Sequence, residues 1–404
     1  MYDLFIVVIL LTAISHSLAS GRFENDTPLI ISASIKPIRY LDSLTINKMD
    51  DSFLAPHIGC ELKIREQLDN SSVPLYAISY QKNETSIKYN RNGRSNSVSF
   101  FVLYDIYFGS SGCLSLENWT YQDLNDYNSW VYIGRNELMQ GNVSAHYQDL
   151  ICLGWRHSRE NFGHTFFDFL DPLMLIPEEI RMTTPIVMNG LPNVVATVFN
   201  LMEIPMNNRV LIKEHTWVHV DRCYTFLRPV VGLSVAGRTT VELRNLFFKK
   251  YKLDEIEPTQ YYYSNRPTER PRYISNMDEL LKSIKIHFPN ITFKHLHDSY
   301  PSLRKAATHW AKAKFIFTPV GSNCHNSIFM HKETVMVVAQ TYEHEEEFIP
   351  VFVSSLSIFY LQFPALNCTH FYNFGGPINV SLAIKMIEIG LRCVEDKKWP
   401  SHLI

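Results

Sequence analysis

The sequence predicts an α/β protein made of two Rossmann-like halves, and three observations carry that expectation. At 404 residues the chain exceeds what a single hydrophobic core readily organises. Two series of short apolar, partly β-branched runs alternate with stretches of helical spacing, the rhythm of βαβ units. The stretch Phe315–Gln340 condenses the pattern: an apolar run at Phe315–Phe317, a turn of small and polar residues at Pro319–Asn326, a short helical segment at Ser327–His331, and a second apolar run at Thr334–Ala339.

Composition narrows the class. Hydrophobic content of 46% with 19% charged residues describes a globular protein rather than a disordered one. A net charge of −2 gives no general electrostatic grip on nucleic acid or anionic lipid. Leu4–Ile14 is an apolar run too short to span a bilayer comfortably and of the length of a signal-peptide core. Ser17-Leu18-Ala19 offers small residues for cleavage near Ala19/Ser20, so residues 1–19 read as a signal peptide. Because Asp3 precedes the run and no Lys or Arg does, an uncleaved signal anchor is the alternative, and a membrane is a partner only in that case. N-glycosylation sequons at Asn25, Asn70, Asn83, Asn118, Asn142, Asn290, Asn367 and Asn379 agree with entry into the secretory pathway. The 7 cysteines allow up to three disulfides there, and without any C-x-x-C pair they support neither a zinc site nor a thioredoxin-like centre.

Taken in order, Gly21–Asn96 is loosely patterned, with Asn/Ser-rich turns such as Asn90–Asn96. Ser97–Tyr107 predicts a long strand and Trp130–Ile133 a short one. In Asn161–Glu178 the apolar residues Phe166, Phe167, Phe169, Leu170, Leu173 and Met174 have helical spacing, with Asn161 as cap. Pro185–Val187, the helical Asn193–Met202, Val210–Ile212 and Val218–Leu227 complete the first half, and a boundary falls near Arg228–Ser234. The second half opens with a helix at Thr239–Lys252. A strand at Gln260–Ser264 and a Pro-containing basic loop, Asn265–Arg272, follow. A helix at Ser275–Phe288 starts at an Asn276-x-x-Glu279 box, then come a strand at Ile291–His295 and a helix at Ser302–Ala313. The domains are therefore expected at 20–230 and 231–404.

Several residues stand out chemically. His164 and Asp168 are four apart and share a helix face, which suits either an imidazole tuned for acid–base work or a local pair holding a helix start. The Pro319–Asn326 turn opens a helix after a strand, a geometry that suits an anion and equally an ordinary βα connection. Arg266, Arg270 and Arg272 follow the first strand of the second half, at the sheet edge where ligands bind. Guanidinium groups there match a diphosphate, and a solvated basic loop is the alternative. Glu343–Glu347 (EHEEE) reads as a solvated acidic loop.

These motifs together carry a resemblance. NFGHTFFDFLDPL resembles the N-F-G-H…D motif of glycosyltransferase family 61, the DUF563 group, which includes extracellular O-GlcNAc transferase, protein O-mannose N-acetylglucosaminyltransferase and plant β-1,2-xylosyltransferases. SNRPTERPRYISN is similar to the family's S-R…R-x-I-x-N strand and loop, matching Arg266, Arg272 and Asn276. HLHDSYPSLRKAATHWAKAKFIFTPVGSNCHNSIFM resembles the segment ending in H-G-A-G-x-x-N-x-x-F, and VFVSSLSIFYLQF the segment bearing a Tyr, here Tyr360.

The resemblance implies a GT-B type fold, two Rossmann-like domains facing across a cleft, the N-terminal one on the acceptor side and the C-terminal one holding the nucleotide sugar. It implies inverting transfer from a UDP-sugar to a glycan or glycoprotein acceptor, without a resident cofactor and without a metal. On this reading Arg266, Arg272, Gly321, Ser322, Asn323 and Asn326 bind the donor, Asn161 lies on the acceptor side, and His164 with Asp168 is the catalytic candidate. One departure matters: His-Gly-Ala-Gly is here Val320-Gly321-Ser322-Asn323, and His325 lies five residues beyond the missing imidazole. The alternative is therefore a catalytically inactive relative that binds glycans or serves as an accessory protein.

Overall fold

The structure is a computed structural model. It describes residues 58–65, 77–80, 87–89, 97–110, 114–116 and 119–121, and residues 142–400 apart from 155, 215, 227–237, 298, 342–347 and 367–374. The apolar run Leu4–Ile14, the expected strand Trp130–Ile133, the expected boundary Arg228–Ser234 and the acidic Glu343–Glu347 all lie outside the described residues.

Two sheets organise the chain. The first contains β1 (Ile58–Arg65), β4 (Ser97–Gly109), β5 (Leu114–Leu116), β6 (Trp119–Tyr121), β7 (Asn142–Ile151), β8 (Ile186–Val187), β9 (Arg209–Val210) and β10 (Thr216–Phe226), in the order β6-β5-β4-β10-β7-β8-β9 with β1 also on β4. Its β10, β7, β8 and β9 are parallel, whereas β4 runs antiparallel to β10. The strand expected to close the first half is thus central, inserted between β4 and β7.

The second sheet runs β12-β11-β13-β14-β15-β2-β3, built from β2 (Ala77–Tyr80), β3 (Ile87–Tyr89), β11 (Gln260–Tyr263), β12 (Phe293–His295), β13 (Ala313–Pro319), β14 (Val335–Thr341) and β15 (Phe359–Leu366). All its pairings are parallel except β2 with β3. Strands β2 and β3 come from the first hundred residues, so the early chain contributes to the sheet otherwise made by the second half.

Burial on both faces explains why β13 and β14 read as nearly unbroken apolar runs. Side chains of a strand alternate between faces, and here the two faces are two separate cores. Phe315, Phe317, Val335, Val337, Ala339, Phe359 and Leu361 pack with the helices Met277–His287 and Val380–Asp396. Ile316, Met336, Val338 and Tyr360 face the other way, onto Trp310, Ile328, Phe329 and Phe352, a core continuous with Phe166, Phe169 and Phe199 of the first half. Helix Val380–Asp396 approaches the sheet through Gly390, where a Cβ would stand 2.7 Å from Phe315 Cε2 and 2.9 Å from Val337 Cγ2.

Three expectations change. Helix Met277–His287 begins after Asn276, but that residue does not close a capping box. Its Nδ2 donates to Glu279 Oε2 and to Ile378 O, both at 3.1 Å, while its Oδ1 accepts from Ile378 N at 2.8 Å instead of from the first N–H groups of the helix, so it clamps a distant segment to the helix start. The short helix expected at Ser327–His331 is a 3₁₀ helix that already starts at Ser322. Four of the cysteines offered for disulfides, Cys152, Cys223, Cys324 and Cys393, are buried thiols. Among the described residues, no helix is long and apolar enough to cross a membrane.

Candidate functional site

The helix that opens at Asn161 is less regular than its spacing predicts. Asn161 is extended (φ −132°, ψ 129°), and its Oδ1 accepts from Gly163 N at 2.9 Å and His164 N at 3.4 Å, as an N-cap does. After a short α turn at Phe162–His164 the chain widens into a π turn over Thr165–Leu170, with Asp171 N donating to Phe166 O, and then returns to α at Asp171–Leu175. All six residues of the wide turn are buried. Thr165 Oγ1 ties this segment inward, donating to Ser158 O at 2.7 Å and accepting from Leu191 N at 3.1 Å. Wide turns of this kind recur at functional sites, because they set side chains at angles a regular helix does not reach.

Here the side chains so placed are His164 and Asp168. The His164 Nδ1 lies 2.7 Å from Asp168 Oδ2, with the imidazole 33% exposed and the carboxylate only 2%. A carboxylate accepting from Nδ1–H fixes the tautomer that makes Nε2 the basic atom. The pair is thus oriented from inside, by a carboxylate more deeply buried than the imidazole it holds.

The second component is the turn after β13. Val320 is fully buried in the core and its N–H continues the sheet to Ala339 O at 3.0 Å. At the position where the family motif carries His, the chain is therefore still strand-like and apolar. Gly321 is extended and stands at the N-cap of the Ser322–Phe329 helix. Ser322 Oγ reaches Asn161 Oδ1 at 3.0 Å, joining this turn to the start of the His164 helix. Asn323 Nδ2 lies 3.4 Å from Ser264 Oγ at the end of β11. Asn326, expected above among the donor-binding residues, sits within the helix and donates from Nδ2 to Asn323 Oδ1 at 2.7 Å.

His325, displaced by five residues from the missing imidazole, is packed into this site. It is 5% exposed, its Nδ1–H donates to Ser322 O at 3.0 Å, and its ring meets Phe167 edge-on with centroids 4.5 Å apart. Burial pushes its pKa down to about 3, with the backbone bond to Ser322 opposing and the charge of His164 assisting, so the ring is neutral. Gly163 is glycine because of it: a Cβ there would stand 2.7 Å from His325 Cε1 and 2.8 Å from Nδ1. The signal in the sequence was Gly163 next to a conspicuous buried aromatic set, but nothing local linked it to a residue so far along the chain.

The third component is the loop between β11 and the Met277–His287 helix. Asn265 closes it, with Oδ1 accepting from Arg266 N at 2.9 Å and Ile274 N at 2.8 Å, and Nδ2 donating to Ile274 O at 2.9 Å. Arg266 Nη1 donates to Pro271 O at 2.9 Å, and its guanidinium carbon lies 3.4 Å from where a Gly321 Cβ would be. Arg266 is thus laid against the glycine of the turn. Arg272 is buried and takes a left-handed backbone (φ 66°), whereas Arg270 is exposed. Tyr360 lies in the core, its hydroxyl donating to Gln362 Oε1 at 3.0 Å.

Arg266, Gly321, Ser322, Asn323 and Asn161 are therefore brought together in one chain of contacts, with His164 in the first turn after Asn161 and Asp168 in the next. Arginine, a glycine turn and a helix start thus stand together at the C-terminal edge of parallel strands, the edge at which ligands bind in open α/β sheets. Comparison with known families gives the class: the model of the Glycosyltransferase 61 family matches residues 162–337. The matched stretch, running from the His164 helix through the arginine loop to β14, is similar to this family of glycosyltransferases. No curated protein matches the chain.

Proposed function

We propose that the protein is an inverting glycosyltransferase that moves a sugar, GlcNAc or a pentose such as xylose, from a UDP-sugar to a glycan or glycoprotein acceptor in the lumen of the secretory pathway. The observation that carries this is the Arg266 guanidinium lying against Gly321, in a turn bonded through Ser322 to Asn161. In this reading the two sheets form a GT-B arrangement, and Arg266 and Arg272 with the Gly321–Asn323 turn hold the diphosphate. Departure of UDP develops negative charge that fixed guanidinium and backbone N–H groups offset. The acceptor hydroxyl must lose a proton as it attacks the anomeric carbon, and His164 Nε2, with Nδ1 held by Asp168, is the base. Calorimetric titration of the secreted protein with UDP, UDP-GlcNAc and UDP-xylose tests the donor site. Saturable binding of UDP with one sugar conjugate preferred supports it; no binding by folded protein overturns it.

A second reading rests on Val320. With the motif imidazole replaced by a core side chain and His325 buried and neutral, a glycan-binding relative without turnover has a specific basis. Glycan binding without UDP binding would select it.

A further inference from the structure

The first sheet carries a polar cluster on the face turned away from its apolar core. His146 on β7 pairs in register with His219 on β10, and their rings stack with centroids 4.8 Å apart and planes 22° from parallel. His146 Nε2 lies 2.6 Å from Asp221 Oδ1, and His219 Nε2 lies 2.6 Å from Asp105 Oδ1 of β4. Ligand atoms of His146, His219 and Asp221 all fall within 4.8 Å of one another. In the register of β10 on β4, Val220 pairs with Ile106 and Arg222 with Tyr104, so Asp221 and Asp105 lie between the same two rungs. Beneath this face Ala145, Val218, Val220 and Ile106 are packed in the core, so the cluster stands on a rigid three-strand platform.

We propose that His146, His219, Asp221 and Asp105 bind a divalent transition metal of the zinc class, clipping β4, β7 and β10 together. Like charges directly opposite on neighbouring strands destabilise a sheet, and stacked imidazoles do not both carry charge cheaply. A divalent cation resolves both at once: it takes two neutral imidazoles, and two carboxylates cancel its charge. Nitrogen and carboxylate ligands at about 2.0–2.2 Å in a tetrahedron are what Zn²⁺ prefers. The cluster is wider than a filled site of that size. His146 and Asp221 have side chains 47% and 48% exposed, free to turn inward, while His219 at 20% is held against Tyr107. Asp105 is set in place by a left-handed backbone (φ 54°) inside its strand, which directs its carboxylate to the same ring.

The test is titration of the metal-stripped full chain with Zn²⁺, followed by calorimetry, and with Co²⁺, followed by the visible bands of a tetrahedral N/O site. One equivalent is expected to bind, and His219→Ala and Asp221→Asn each to weaken it by at least about tenfold. Zn²⁺ is expected to raise the unfolding midpoint of the wild type and not that of Asp221→Asn, an exposed substitution that leaves the core intact. The rings of His295 and His297 form another imidazole pair, 4.9 Å apart, so His297→Ala serves as the comparison and is expected to bind as the wild type does. Absence of saturable binding, undiminished binding in both cluster variants, or loss confined to His297→Ala would each overturn the proposal.

Discussion

Replacing Gly163 by alanine tests whether the two halves of the site are joined through His325. The added Cβ would stand 2.7 Å from Cε1 and 2.8 Å from Nδ1 of that ring, about 1 Å inside ordinary carbon contact. The ring has no easy retreat. Phe167 meets it edge-on at 4.5 Å between centroids and Phe352 lies at 5.0 Å. Overpacking of this kind costs about 1–3 kcal/mol. Any shift of the ring pulls on Ser322 O, which its Nδ1–H holds at 3.0 Å, and so on the Ser322–Asn161 bond beyond. A double-mutant cycle isolates the effect: denaturant unfolding of Gly163→Ala, His325→Ala and the pair. With the ring gone the methyl has room, so the alanine should cost much less in the His325→Ala background, a coupling of about 1–3 kcal/mol. The same cycle read by UDP titration should show affinity falling in Gly163→Ala. Additive effects of the two substitutions on stability would refute the link.

The other expectations are more direct. Arg266→Ala and Arg272→Ala should each abolish UDP binding in protein that is still folded; unchanged transfer activity in both would remove these arginines from the diphosphate. His164→Ala should lose turnover with UDP affinity kept, as measured by transfer assay beside calorimetry, whereas a folding failure would make the His164–Asp168 pair a structural one. His325 has a folded pKa near 3, below its ordinary value of 6.5, so the unfolded state takes up a proton first as pH falls. Its share of stability is complete above about pH 6.5 and declines toward pH 3 with a slope approaching about 1.4 kcal/mol per unit. Unfolding curves of His325→Gln, which stays uncharged, should be flatter across that window. Gly390→Ala, with its Cβ pressed on Phe315 and Val337, should destabilise the second sheet by about 1–3 kcal/mol and leave UDP affinity in the surviving folded protein unchanged.

Much of the second half was legible because its signals are local. The runs that became β13 and β14 are buried on both faces, and such strands advertise themselves as continuous apolar stretches. Ser302 caps its helix through Lys305 N at 3.2 Å and Asn161 caps another, both by the side-chain chemistry that makes these residues readable in a sequence. The arginine loop was placed correctly after β11 because Pro267 and Pro271 interrupt any helical or strand continuation.

What the sequence concealed depends on partners distant in the chain. Asn276 followed by Glu279 has the form of a capping box and the two side chains do meet, yet the Asn276 oxygen that would cap the helix goes to Ile378 N, a hundred residues on, because that segment lies beside the helix start and offers both a donor and an acceptor. The π turn at Thr165–Leu170 is hidden in the sequence because all six of its residues are buried, so no boundary of an apolar stripe marks where the helix widens. The strand β2 pairs with β15 across most of the chain length and carries β3 on its other edge, and no local pattern encodes which sheet a short strand will join. The same reasoning explains the fate of His325. Counted along the chain, it is five residues from the position where the family motif places an imidazole and looks like a poor substitute. In space it is the residue against which Gly163 closes, and its bond to Ser322 carries the Gly321 turn onto Asn161. A motif position records where a side chain leaves the backbone; what the side chain does depends on which other segment has been folded against it.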